Sequence, residues 1–329
     1  ILCSPEALVN EVIRVQDPLE GDPEAIVIKM LGKEYLNSTK EIFSEPSKFD
    51  IRLNPSKTRP FDIIAKLLRK SVSKLASFAG DSSSSSNKNN PKAKPIKGSA
   101  GFFFWETRRG YNFFSIDALC DTSENGKFIF KDKKEGDKET RPRLQTQAWG
   151  PYVETIANTQ ASGDQRFIIS DAMFTSEIDL MSSLRRGKYS SLIVFFNHST
   201  GQYEEYTYKI KDSYDNMAHL GGQDSFSLMP IQGVELSDYP SRMMSIYLDH
   251  ETWSNDWEPA SPEEKDGSDK PTKFADWQKY YMAQSIARYK LLTNQKLSVV
   301  IPGNAEICAG DRINVKLVSK LPDQQAKDE

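Results

Sequence analysis

Histidine and cysteine are scarce in this chain of 329 residues, with three of each. Cys3, Cys120 and Cys308 are odd in number and widely spaced, and His198, His219 and His250 stand at no metal-ligand spacing. That excludes a disulfide framework and a zinc motif, and reads as three reduced, mostly buried thiols. No run of about 18 apolar residues occurs, so no membrane-spanning helix is expected. The net charge of −3 withholds the basic excess that sequence-independent nucleic-acid binding requires. The Gly-x-Ser-x-Gly, Gly-x-Gly-x-x-Gly, P-loop, His-Glu-x-x-His and Cys-x-x-Cys patterns are missing too. With them go the common nucleophile elbows, phosphate cradles, zinc-hydrolase sites and redox sites.

The remaining chemical candidates are thin. Asp249-His250-Glu251 would hold a histidine between carboxylates, but adjacent strand residues point to opposite faces and make no tight constellation. His198 falls in a predicted hairpin turn, where exposure is the default. Gly221-Gly222 reads as a turn before it reads as an anion site. Acid pairs such as Asp212/Asp215 and Glu204/Glu205 carry no weight in a chain with 46 acids, because paired-carboxylate chemistry is defined by spatial separation. Trp253 and Trp257 would suit a sugar or ligand, or equally packing beneath a long loop. No residue is assigned a catalytic, cofactor-binding or metal-binding role, and no cofactor is expected.

What is present is a foldable chain. Hydrophobic residues make up 38% and charged residues 27%, the range of globular proteins, and the length suits two or three domains. Aromatics reach 11%, which favours β-structure and large contact surfaces. Ser4-Pro5-Glu6 and Asp22-Pro23-Glu24 have the cap, proline and acid order of helix starts. They open helices over Pro5 to about Val15 and over a stripe of Ile26, Met30, Leu31 and Tyr35. Thr58 and Pro60 open a third, with Phe61, Ile64, Leu68, Val72 and Leu75 as its apolar stripe. Its Lys66, Arg69, Lys70 and Lys74 read as a solvated face.

The serine-rich stretch 81–99 is a flexible excursion. Gly101–Glu106, apolar enough for burial on both faces, and Tyr111–Ile116 flank a turn with Gly110 free to take positive φ. A helical turn, Asp117 to Cys120, and a strand, Lys127–Asp132, follow. Ser176-Glu177 caps a helix carrying Ile178, Met181 and Leu184 that ends at Gly187. A second hairpin spans Ser191–Asn197 and Tyr203–Ile210. The segment Asp212–Lys273 is irregular apart from a strand at Met244–Leu248, and its acidic run Glu258–Asp269 reads as a solvated loop. An amphipathic helix from Phe274 to about Asn294 presents Phe274, Trp277, Tyr281, Ile286 and Leu291. Strands at Lys296–Ile301 and Ile313–Ser319 close the regular part, and 321–329 is a polar tail.

Four stretches in order carry a resemblance. They are Leu2–Glu11 with the Asp22–Leu36 helix; Asn54-Pro55 through Ala65, leading to Gly101–Glu106 and Gly110–Leu119; Glu177–Ile210; and Met282–Gln284 through Pro302-Gly303-Asn304 to Ala309–Ile313. Together they are similar to the central baseplate hub protein of T4-like contractile-tailed bacteriophages. The serine-rich and acidic segments depart from it as loop variation would. The resemblance implies a homotrimeric ring that adapts a six-fold tail tube to a three-fold spike, located in the virion's tail baseplate and assembled in the host cytoplasm.

It further implies an α+β chain built on a tube-like antiparallel β-barrel, with a mixed α/β insertion domain and a smaller loop-rich insertion. Residues 1–123 would be the end of an N-terminal barrel plus the mixed domain. Residues 124–210 and 274–320 would form the barrel, 211–273 the insertion. The chain opens at Ile1, so most of the upstream barrel is expected to be missing, through processing, truncation or residues beyond this sequence. Implied partners are the chain itself, the spike, tail-tube initiator proteins, a tape-measure protein and baseplate wedge proteins, with no membrane and no specific nucleic acid. An enzyme is not expected. The alternatives are the hub or spike carrier of another contractile injection system, a tail-associated cell-wall hydrolase, and a carbohydrate binder.

Overall fold

A computed structural model describes residues 3–48, 50–73, 100–120, 144–149, 168–175, 179–198, 201, 203–214, 217, 230–248, 280–292, 296–305 and 307–316. The serine-rich segment 81–99, the strand expected at 127–132, the acidic run 258–269 and the tail 321–329 lie outside these residues. Within them the chain is α+β, with small sheets of two or three strands and none closed into a barrel.

The first half runs α1 (Pro5–Val12), β1 (Leu19–Gly21), α2 (Pro23–Leu31), β2 (Ile42–Ser44), β3 (Ser47–Lys48), β4 (Ile51–Leu53), α3 (Pro60–Leu68), β5 (Val72–Ser73), β6 (Phe102–Thr107), β7 (Gly110–Ser115) and α4 (Ile116–Cys120). The second runs β8 (Leu144–Trp149), β9 (Ile168–Ile169), β10 (Asp171–Thr175), α5 (Leu180–Arg185), β11 (Ser190–Asn197), β12 (Tyr203–Lys209), α6 (Ile210–Tyr214) and β13 (Arg242–Leu248). A π-helical turn (Tyr280–Gln284), α7 (Ser285–Leu291), β14 (Lys296–Val300) and β15 (Arg312–Lys316) complete it. No described helix is long and apolar enough to cross a membrane.

Contacts divide the chain into two units, one of 1–138 with 179–292 and one of 139–178 with 293–329. In the first, α2 and α3 pack Ile26, Val27, Met30, Leu31, Ile63, Ile64 and Leu67 against Phe102, Tyr111 and Phe113. Prolines at the first position of α1, α2 and α3 match their sequence signals. The expected caps Ser4 and Asp22 make no side-chain capping bond. The third helix is capped at Arg59, not Thr58, which instead bridges Val15. It also stops at Leu68. Val72 continues the apolar stripe only in sequence, since the chain has turned into β5 and pairs Val72 with Lys48.

The β6–β7 hairpin forms as expected, with Gly110 at φ +141°. A Cβ on Gly110 would sit 2.3 Å from the Glu41 carbonyl oxygen. Burial on both faces belongs to β7 rather than β6. Every β7 residue is buried, because β7 is the central strand between β6 and the parallel β2.

A second core joins Tyr189, Ile193, Phe195, Tyr208 and Ile210 to Ala283 and Ala287. The β11–β12 hairpin and the parallel pairing of β11 with β13 make its sheet. α5 is capped by Asp179, whose carboxylate accepts from the Ser182 N–H at 2.8 Å. The expected caps Ser176 and Glu177 lie outside the described residues. Gly187 ends the helix at φ +73°, as the sequence implied. The expected core face of the last long helix holds in part: Leu291 packs against the second core, but the buried positions are Ala283, Gln284, Ser285, Ala287 and Arg288, and Ile286 is half-buried. Phe274 and Trp277 lie outside the described residues. The π-helical turn ahead of α7 shifts the register set by a regular 3.6-residue repeat.

The second unit contains an all-parallel sheet ordered β15-β8-β9 and an antiparallel β10–β14 ribbon. Of the three free cysteines, Cys120 alone is fully buried; Cys3 is exposed and Cys308 half-buried.

Candidate functional site

Of the residues singled out for chemistry, His198 is exposed at the end of β11. His219, His250, Gly221, Gly222, Trp253, Trp257 and Asp215 lie outside the described residues. Glu204 and Glu205 are consecutive residues of β12. Among the described residues there is no group of His, Cys, Asp and Glu able to hold a metal ion.

The buried polar groups lie elsewhere. Glu45, between β2 and β3, is fully enclosed. It accepts from the Ser73 hydroxyl and, at 2.7 Å, from the Ser115 N–H. Burial pushes its carboxyl up to about 7, helped by the charge of nearby Asp117 and opposed by the serine bonds. A carboxyl near neutrality is a usable general base only where a substrate reaches it. Glu45 has no exposed surface, so its bonds tie β2, β5 and β7 together.

Asp117 on α4 meets Arg288 on α7 at 3.1 Å, with both side chains almost wholly buried. Around them α7 is fastened to the first core. The Ala100 N–H donates to the Gln284 side-chain oxygen at 3.0 Å, and the Tyr289 hydroxyl bonds the Leu68 and Phe102 carbonyls. Burial pushes the Tyr289 phenol up to about 12 despite its bond to Phe102 and the nearby Arg69 charge. On the opposite flank Lys40 pairs with Glu6 at 2.8 Å and with Glu106. Burial alone would lower the Lys40 ammonium, but the Glu106 and Glu6 bonds prevail and hold it above the usual lysine range.

Beside the Tyr289 anchor opens a cleft of about 770 Å³. Its floor is apolar, with Leu68, Phe102, Phe103, Ile286 and Tyr289; Phe103 and Tyr289 pack edge to face at 5.5 Å. Its rim carries Arg69, Arg185, Arg186, Arg242 and Lys290. These cations come from the ends of α3, α5 and α7 and the start of β13. Gly187 makes this close approach possible, because a Cβ there would meet the Arg242 side chain at 2.8 Å. Of Lys66, Arg69 and Lys70, read from the sequence as a solvated helix face, Arg69 lines the cleft and the other two do not. Arg185-Arg186 and Arg242 are too far apart in the chain to be read as one cluster.

No family model matches the chain, and no curated protein matches it.

Proposed function

We propose that this chain is a structural hub subunit of a contractile phage-tail baseplate. Three copies form a ring that adapts the six-fold tail tube to the three-fold spike, and a tube-like barrel over 124–210 and 274–320 lines the passage. The ordered resemblance of four sequence stretches supports the reading. The structural observation that carries it is the pair of uncovered apolar surfaces on different units.

In the second unit, Met173, Phe174 and Val300 on the β10–β14 ribbon are 60%, 66% and 57% exposed. The pairing puts Met173 and Val300 on one face and Phe174 on the other. A two-stranded ribbon is marginal by itself, and apolar groups on both faces call for cover. In the first unit, Met243 and Tyr247 on the edge strand β13 are 74% and 76% exposed on a common face. A ring built head to tail needs two different sticky patches per subunit, one for each neighbour. The chain offers two.

Light scattering tests the reading. The protein is expected to run at three times the subunit mass and to take up three chains of its spike protein. Phe174→Asp and Tyr247→Asp should each shift it toward the monomer. A stable monomer indifferent to the spike overturns the proposal.

A further inference from the structure

The cationic cleft is the feature that ring assembly leaves unexplained. Several other cations of the first unit answer a carboxylate: Lys40 with Glu6, Arg59 with Glu11, Lys209 and Lys211 with Asp238, Arg288 with Asp117. Arg69, Arg185, Arg186 and Arg242 form no ion pair among the described residues. Four guanidinium groups brought to one cleft from three elements repel one another unless an anion lies between them.

Balancing the negative helix ends is the alternative role for such residues. The helix-end carbonyls here are already satisfied. Leu67 O accepts from Lys70 N and Ser71 N, Leu68 O from Tyr289, Leu184 O from Gly187 N and Ser241, and Ser183 O from Lys188 N. The guanidinium forks are therefore not consumed as caps.

The same helix ends select the occupant. Phosphate groups are typically held at helix N-termini, where backbone N–H groups and the positive dipole end converge. This cleft gathers C-terminal ends, whose partial negative charge disfavours a concentrated dianion. Single carboxylates spread over several arginines fit better, each taken by a bidentate fork. A nucleic-acid strand would need a track of cations beyond one cleft, on a chain whose net charge is −3. The apolar floor adds room for one aliphatic or aromatic side chain between the carboxylates.

We infer that the cleft docks an acidic peptide segment of a partner protein, its carboxylates on Arg69, Arg185, Arg186 and Arg242 and an apolar residue on the Phe103–Tyr289 floor. This stands independently of the trimer reading, since the whole cleft belongs to one unit of one chain.

The test is fluorescence anisotropy with a fluorescein-labelled peptide, Glu-Asp-Leu-Phe-Glu-Asp, on the full chain. Saturable binding is expected, weakened as salt rises from ~50 to ~300 mM. The same peptide with Gln and Asn for its acids should bind at least about tenfold more weakly. The double variant R185A/R186A should lose affinity by a similar factor, and R108A, an exposed arginine outside the cleft, should not. Charge reversal extends the series: R185E/R186E, which leaves Arg69, Arg242 and Lys290 on the rim, should bind the acidic peptide more weakly still than R185A/R186A. No saturable binding, equal binding of the neutral peptide, indifference to both arginine variants, or displacement by inorganic phosphate or an oligonucleotide that itself saturates the cleft would each overturn the inference.

Discussion

Arg288→Met removes one half of the buried pair that fastens α7 to α4, and it leaves Asp117 charged with no exposed surface. Breaking a buried pair by removing one partner costs about 3–5 kcal/mol. Asp117→Asn breaks the same pair from the other side and should cost a similar amount. If the two acted independently, the double variant would lose about twice as much. Pairing physics predicts otherwise. With both charges gone, no ion remains to be desolvated, so Asp117→Asn with Arg288→Met should be no less stable than either single variant. Urea unfolding at neutral pH reads the difference, with tryptophan fluorescence for the β6–β7 hairpin and circular dichroism for the helices. The loss in the single variants should be insensitive to added salt, because screening reaches buried pairs poorly. Single-variant costs below about 1 kcal/mol, typical of an exposed pair, or additive losses in the double variant, would refute this reasoning.

Glu45 predicts a pH dependence of the opposite sense to the usual acid. Its folded value near 7 lies above the ordinary 4.5, so between those values the folded state holds more protons than the unfolded. Stability should therefore fall as pH rises from about 4.5 to 7, by about 3 kcal/mol for a shift of this size. Glu45→Gln should flatten that slope in urea titrations at several pH values, and an unchanged slope would show that another group causes it. Gly110→Ala should destabilise by more than about 2 kcal/mol, from positive φ and collision with the Glu41 carbonyl. Chemical denaturation checks it, and a near-neutral effect would mean that the β2–β7 edge yields.

Local signals were legible where backbone chemistry is local. Prolines at helix starts, the Gly110 turn and the Gly187 helix stop all lie where their residue types imply. Errors arose where tertiary structure outranks local pattern. Val72 continues a helical stripe yet serves a strand, because Lys48 offers it a ladder partner. The last helix buries Ala283, Ala287 and Arg288 because a π-helical turn changes its phase and Asp117 awaits the arginine. The small-residue spacing of Ala283 and Ala287 was the available signal. Glu45 and the arginine cleft were invisible, because their partners lie tens to hundreds of residues away.

The interrupted course of the second unit has a consequence for how the protein is made. β8 pairs with β15, Leu144 opposite Arg312, so that pairing must wait until residue 312 has left the ribosome. The β10–β14 ribbon waits in the same way for residues 296–300. Closing so long a loop is slow, while the core of α2, α3, β6 and β7 is complete once residue 120 has emerged. A nascent chain therefore folds its helical part first and withholds the ribbon until residues 296–300 have emerged.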